Sequence, residues 1–333
     1  MNPKIESTSC QRGIGILLVV LVGLLSACNP NYRGHDKPIL HTTISADGKM
    51  VATLLNAGTD KQLLRVRNLG TDTTWRTVQG PPLTHSIRFG LQGHELLLTH
   101  RKPDLPAKDY LSKLDLDNPE RGLQKIYESE DGLAFPVEVT PGQVMVRTRH
   151  ADQTGKRFYL SGYYWILVGQ DQQLRKVGPD PVLPYAAPNI VGSGFFWTED
   201  QMGEKKEAHP LVLSYPLPGG VAPIFSRERL EKNTHDVLCD RMAKRCLRWF
   251  ISNLNQIPHG SYIYDVDVLF GATSCKLPGL SGRPAGVSLT PDGNAAVMSL
   301  AAGPDKPRHV VVMHFNPQQC EAISLQHINF EEK

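Results

Sequence analysis

The chain lacks the signatures of most familiar enzyme classes. There is no G-x-S-x-G elbow, so no α/β-hydrolase nucleophile can be placed. H-E-x-x-H, C-x-x-C, P-loop and dinucleotide-binding fingerprints are also missing, which leaves no zinc-protease, thioredoxin-type or nucleotide-phosphate site to assign. The 12 histidines are scattered, with no i, i+4 pair on a predicted helix. Neither charge sign dominates: 36 basic and 33 acidic residues leave +3, so no nucleic acid partner is expected. No apolar run reaches the ~20 residues of a membrane-spanning helix. Strand patterns do not alternate with helical ones, so βαβ architecture is not expected either.

Turn formers are abundant instead. The 333 residues include 29 glycines and 25 prolines, above the ordinary share. Apolar residues at 40% and charged residues at 21% are those of a globular chain. The length admits about two ordinary domains or one large closed β domain.

The N-terminus reads as an export signal. Lys4 and Arg12 precede an apolar run from Ile14 to Leu25. A short apolar segment after a basic one is the secretory pattern. Leu25-Ser26-Ala27-Cys28 follows, and it resembles the bacterial lipobox. The resemblance implies cleavage before Cys28, a diacylglyceryl group on its thiol and acylation of its new amine. Several acyl chains make a stable anchor where one is marginal. Asn29, in place of Asp, implies outer-membrane delivery in a Gram-negative host. Residues 1–27 are thus expected to be a signal peptide. Residues 28–38 form a polar lipidated tether, in which His35 and Asp36 are solvated. Residues 39–333 form the folded domain. The alternative is an uncleaved anchor helix with an incidental Cys28.

Six cysteines occur. Cys10 leaves with the signal and Cys28 carries lipid. An exported domain permits disulfides among the remaining four. Cys239 and Cys246 flank a polar segment with apolar residues on both sides, so they are expected to face each other across a hairpin and form a bridge. Cys275 and Cys320 either pair or stay free.

A repeat organises the rest. Ser45-Ala46-Asp47-Gly48 and Thr290-Pro291-Asp292-Gly293 each read as strand, Asp-Gly turn, strand. Weaker copies surround Gly93, Gly142 and Gly194. The steps between these glycines are 45, 49, 52 and 99 residues. The last is two periods, and its midpoint falls between residues 243 and 244, inside the Cys239–Cys246 hairpin. Six units of roughly 50 residues result. Each has room for four strands: in the first, Ile39–Ile44, Met50–Leu55, Gln62–Leu69 and Thr73–Val78. Ser261–Val268 alternates with period two, and His309–Phe315 is unbroken and apolar. Only Ser226–Lys232 is helix-like. Four-stranded units of this length arranged radially make a β-propeller. The expected fold is therefore all-β, a propeller of six four-stranded blades, with seven as the alternative. A pair of long sandwiches is the other solution. The strand–Asp-Gly–strand copies resemble the TolB-type, WD-like propeller repeat, clearly in the first and last units. The Trp-Asp signature of true WD repeats is absent. Ile328 and Phe330 either pack on the first blade to help close the ring or belong to a frayed tail.

Function is expected on loops. The first-to-second-strand turns are short, whereas the second-to-third-strand loops are long and irregular: Arg101–Lys108, Arg149–Lys156, Thr198–Pro210, Ser252–Gly260 and Ala301–Pro307. Variable loops on a rigid scaffold are where binding usually resides. Asp265 and Asp267 share a strand face but lie away from the channel, and are expected to be structural. Glu199, Asp200 and Glu204–Glu207 form a charged, solvated loop. No catalytic residue, cofactor site or metal ligand is assigned. The sequence thus points to a lipid-anchored envelope protein facing the periplasm, binding an envelope protein partner through its long loops. The alternative is an enzyme or small-ligand binder acting on envelope or extracellular carbohydrate, with carboxylates converging at the channel.

Overall fold

Runs such as Leu96–Leu98 and Val310–Met313 have no polar face. A strand built from them must be covered on both sides. The computed structural model meets that demand with six consecutive sheets. It describes residues 39–56, 62–81, 83–102, 108–149, 163–169, 173–182, 187–199, 211–224, 234–251, 264–271, 273–281, 283–301, 309–315 and 323–329. All of these belong to one unit, Lys37–Lys333.

Blade 1 comprises β1 (Ile39–Ile44), β2 (Met50–Asn56), β3 (Gln62–Asn68) and β4 (Arg76–Val78). Blade 2 comprises β5 (Thr84–Phe89), β6 (Glu95–Arg101), β7 (Asp109–Asp115) and β8 (Leu123–Ser129). Blade 3 comprises β9 (Leu133–Thr140), β10 (Gln143–Arg149), β11 (Tyr163–Val168) and β12 (Leu174–Val182). In blade 4 the described strands are β13 (Asn189–Val191), β14 (Gly194–Glu199) and β15 (Leu211–Pro216). Blade 5 comprises β16 (Thr234–Cys239), β17 (Arg245–Ile251), β18 (Tyr264–Phe270) and β19 (Thr273–Ser281). Blade 6 comprises β20 (Arg283–Leu289), β21 (Ala295–Ala301), β22 (His309–Phe315) and β23 (Ile323–Asn329). Pairing within each blade is antiparallel and sequential. Among the described residues the one helical turn is 3-10, Pro119–Arg121. The helix-like stretch expected at Ser226–Lys232 lies outside the described residues.

Six apolar clusters map onto six blade interfaces. Met50, Leu54 and Val66 pack with Ile87, Leu96 and Leu98 between blades 1 and 2. Leu97 and Leu111 meet Val144 and Ile166 between blades 2 and 3. Trp165 and Met145 meet Phe195 and Trp197 between blades 3 and 4. Val191 and Phe196 meet Val237 and the Cys239–Cys246 disulfide between blades 4 and 5. Leu247 and Val268 meet Met298 and Val311 between blades 5 and 6. The last cluster joins Val297, Val310 and Ile328 of blade 6 to Ile44 and Val51 of blade 1. That interface closes the ring. Burying a large aliphatic side chain is worth about 1.5–3 kcal/mol, so an open ring would leave two apolar sheet faces in water.

The expected six-bladed propeller is therefore the fold, and Ile328 packs on the first blade; Phe330, expected with it in that sequence alternative, lies outside the described residues. The expected Cys239–Cys246 bridge is present, with the two residues directly opposite in the β16–β17 register. Cys275 is also disulfide-bonded; Cys320 lies outside the described residues.

The turn between first and second strands recurs with different chemistry. In blade 1, Ser45 Oγ donates to Asp47 Oδ1 at 2.6 Å, and Gly48 at φ +72° donates its N–H to the Ser45 carbonyl. Blade 6 repeats this with Thr290, Asp292 and Gly293. In blade 5, Asp240 replaces the hydroxyl residue and its carboxylate accepts N–H bonds from Met242, Lys244 and Arg245 at 2.8–3.1 Å. Ala243, at φ +52°, occupies the glycine position. It sits at the midpoint that the repeat spacing predicts.

An L-residue in the left-handed region costs roughly 1–2 kcal/mol, against ~0.5–1 kcal/mol for the added freedom of a glycine. Ala243→Gly is expected to raise stability by about 0.5–1 kcal/mol. A higher urea midpoint with unchanged slope supports this; a lower midpoint contradicts it.

Candidate functional site: the channel mouth at the turn end

The first strand of each blade runs along the channel, and all six converge on one recess at their C-terminal ends. Its wall is Thr43 and Ile44 from β1, Arg88 and Phe89 from β5, Val137 and Glu138 from β9, Asn189 and Ile190 from β13, Cys239 from β16, and Ser288 and Leu289 from β20. The turns add Ala46, Leu91, Arg241 and Pro291. The recess is small, with a cavity volume of about 50 Å³, and it opens to solvent.

Its polar groups share one repeat position. Thr43, Arg88, Glu138, Asn189, Leu238 and Ser288 each stand two residues before the turn of their blade. Five of these six are polar, because the channel edge of the first strand is where the apolar interfaces end.

Several of these groups stitch neighbouring blades together. Thr43 Oγ1 accepts the Phe89 N–H at 3.2 Å and shares a hydrogen bond with Ser288 Oγ at 3.3 Å, linking blades 2, 1 and 6. Glu138 accepts the Leu91 N–H at 2.6 Å and the Gly142 N–H at 2.9 Å. Arg241 reaches from the blade 5 turn to blade 3. There Nη1 donates to the Val139 carbonyl at 2.8 Å and Nη2 to the Glu138 carbonyl. The Arg241 backbone also bonds Gly192 of blade 4 and Pro291 of blade 6.

Two groups are less well served. Asn189 is 4% exposed, and its Nδ2 has no hydrogen-bond partner among the described residues. Arg88 makes one long hydrogen bond, from Nη1 to the Pro188 carbonyl at 3.3 Å. Burial pushes the Arg88 guanidinium down to about 10, and the charge of Arg241 adds to that. Burial lowers Arg241 too, and Glu138 opposes the shift.

A second polar cluster lies toward the N-terminal ends of the first strands. His85 Nε2 stands 3.5 Å from Asp109 Oδ2, and Arg101 Nε donates to Asp109 Oδ1 at 2.7 Å. The Leu133 N–H of blade 3 donates to Asp109 Oδ2 at 2.9 Å. Burial pushes Asp109 up, but these hydrogen bonds outweigh it and hold the carboxyl down at about 2. Desolvation lowers His41 to about 4, with a hydrogen bond donated to the His85 backbone carbonyl opposing and the His85 charge assisting. Desolvation also lowers His100 to about 4, helped by the charges of Lys102 and His85. His100 Nε2 bonds Ser112 Oγ at 3.0 Å, while Nδ1 is buried without a partner. Nearby, Phe135 holds φ +53°, and the Arg147 guanidinium lies 4.6 Å from its ring and 4.5 Å from that of Tyr163. Among the described residues, no group of three His, Cys, Asp or Glu is placed to hold a metal ion.

Cys28 and nearly all of the five long loops fall outside the described residues. Asp267 is buried and structural, accepting from Arg248 Nη2 and Ser274 Oγ, both at 2.9 Å. Asp265 pairs with Lys276 Nζ at 3.1 Å. Sequence reasoning missed Arg88, Glu138, Asn189 and Arg241. The signal that could have found them is a polar residue two positions before each aligned turn, and Arg241 just after it. It also treated the histidines as dispersed, whereas His41, His85 and His100 come together from two blades.

Two predictions follow from these environments. A histidine lowered from 6.5 to about 4 binds fewer protons folded than unfolded. The stability it contributes is therefore present above about pH 6.5 and lost as pH falls toward 4. Urea midpoints should drop between pH 7 and pH 4.5, and less steeply in His100→Gln; an unchanged slope in that variant contradicts the assignment. Asp267→Ala removes the carboxylate that faces the buried Arg248 guanidinium and is expected to cost about 3–5 kcal/mol. A loss below ~1 kcal/mol in equilibrium unfolding would show the pair to be solvated.

No protein-family model matches the chain, and no curated protein matches it in sequence. Solved structures do match in fold. TolB from Acinetobacter baumannii aligns with a TM-score of 0.53 at 13% identity, over 80% of this chain and 61% of that one. Kuenenia stuttgartiensis hydrazine synthase aligns at 0.50 and 13%, over 85% of this chain and 78% of that one. Pyrococcus horikoshii acylaminoacyl peptidase aligns at 0.50 and 13%, over 82% of this chain and 43% of that one. The chain thus spans less than two thirds of the TolB and peptidase chains. At these identities the likeness is one of fold, and the fold is a TolB-like β-propeller.

Proposed function

We propose that this chain is a lipid-anchored binding protein of the bacterial cell envelope. Cys28 tethers it, by resemblance to the outer membrane on the periplasmic side, and it receives its ligand or protein partner at the channel mouth. The observation that carries this is the convergence of all six first strands on one recess with underused hydrogen-bond donors. A concave site with a few convergent polar groups is the default binding site of a scaffold. A propeller glycosidase would need paired carboxylates there. Among the described residues the mouth holds Glu138 alone, and two backbone N–H groups already occupy it. That favours binding over hydrolysis. The long second-to-third-strand loops are a second candidate surface for a protein partner, favoured by their irregular lengths. Fold likeness to TolB is compatible with an envelope role but does not by itself assign one. Among the described residues, no helix is long and apolar enough to cross a membrane.

Cys28→Ala is expected to move the protein from the membrane fraction to the soluble fraction. Continued sedimentation with membranes contradicts the anchor. Cross-linking in intact cells followed by mass spectrometry is expected to capture a reproducible envelope partner. Efficient cross-linking with no adduct contradicts a protein partner and favours a small ligand.

A further inference from the structure

We propose that the recess binds a carboxylate group, gripped between the guanidinium groups of Arg88 and Arg241 with the Asn189 amide donating a further hydrogen bond. This deepens the binding reading above and rests on it.

The charge balance of the recess points to a monoanion. Two guanidinium groups face one carboxylate, Glu138. That carboxylate is committed to the N–H groups of Leu91 and Gly142, and it forms no ion pair with either arginine among the described residues. One positive charge is therefore left over. Both arginines are half-buried, and a partly desolvated cation without a counter-ion is costly. Arg88 spends one N–H on a distant carbonyl and has no acidic partner within ion-pair distance among the described residues. Its remaining donors form the planar fork that matches two carboxylate oxygens.

Asn189 is an independent observation. It comes from a different blade, is 4% exposed, lines the same recess and leaves Nδ2 without a partner among the described residues. Buried polar groups are nearly always paired, so this donor calls for a partner, which a water, an ion or a ligand in the recess would supply. The hydroxyls of Thr43 and Ser288 already bond each other. The depressed pKa of Arg88, with burial and Arg241 as its causes, agrees with this: an anion between the two arginines relieves both.

A carboxylate reaches the mouth from one of two sources, a free small acid or the acidic end of a protein segment. The probes separate them: acetate, an acetylated alanine tripeptide with a free C-terminus, and the same tripeptide as its carboxamide. Binding is measured by calorimetry and thermal shift on the detergent-solubilised full chain. Acetate or the acid tripeptide is expected to bind and the carboxamide is not. The acid tripeptide binding tenfold or more tighter than acetate assigns a protein segment; equal affinity assigns a free acid. Arg88→Gln is expected to weaken binding by about tenfold or more. Asn189→Asp, which supplies an internal carboxylate, is expected to raise thermal stability and abolish binding. This keeps the test alive if Arg88→Gln misfolds. Equal binding of acid and carboxamide, binding to neither, or wild-type affinity in Asn189→Asp overturns the proposal. A partner captured in cells while no carboxylate binds overturns this inference alone and leaves the binding reading standing.

Discussion

Every sheet in this protein has two apolar faces, and each must be covered by another sheet. That constraint explains the architecture. Strands such as Leu96–Leu98 and Val310–Met313 offer no side to water, so a blade needs a neighbour on the left and on the right. Six blades satisfy one another only if the sixth meets the first. They meet closely: a Cβ placed on Gly286 of β20 would lie 2.7 Å from the Thr42 nitrogen of β1. Glycine there lets two innermost strands approach backbone to backbone. The Thr43–Ser288 hydrogen bond then joins the same strands beside the recess.

Closure also decides where polarity can go. The faces of each first strand are taken by blade interfaces, so its edge alone is left for the channel. Polar side chains collect on that edge at one repeat position. Several of them tie blades together, as Glu138 does to Leu91 and Thr43 does to Phe89 and Ser288, and the Arg241 side chain adds a tie from the blade 5 turn to the Glu138 and Val139 carbonyls. Arg88 and Asn189 do so least. In the proposed function, donors held in place by the closed ring would lower the ordering cost of binding a ligand.

Much of this was legible in the sequence. Gly48 and Gly293 announce their turns because the backbone there is left-handed, and glycine adopts it at no steric cost. Their spacing leads to Ala243, where the turn persists although the glycine is gone, since Asp240 supplies three acceptor contacts. The Cys239–Cys246 bridge was legible from its flanking apolar residues. The recess was not. Thr, Arg, Glu, Asn, Leu and Ser share no chemical type, so the position is visible only after the six units are aligned on their turns. The histidine cluster was hidden for another reason: residues 41, 85 and 100 meet through the blade 1–blade 2 contact, which no local pattern records. The long loops were legible as insertions, but length alone names no ligand.

In the proposed function the turn end of the channel is the binding face. Met242 is 67% exposed on the turn that carries Arg241. Leu123 is 38% exposed on the fourth strand of blade 2, at the outer edge of that sheet. A photo-activatable residue at each position, irradiated in intact cells, compares the two surfaces directly. A specific adduct is expected from position 242 and none from position 123. The same adduct from both, or none from position 242, would contradict the proposal.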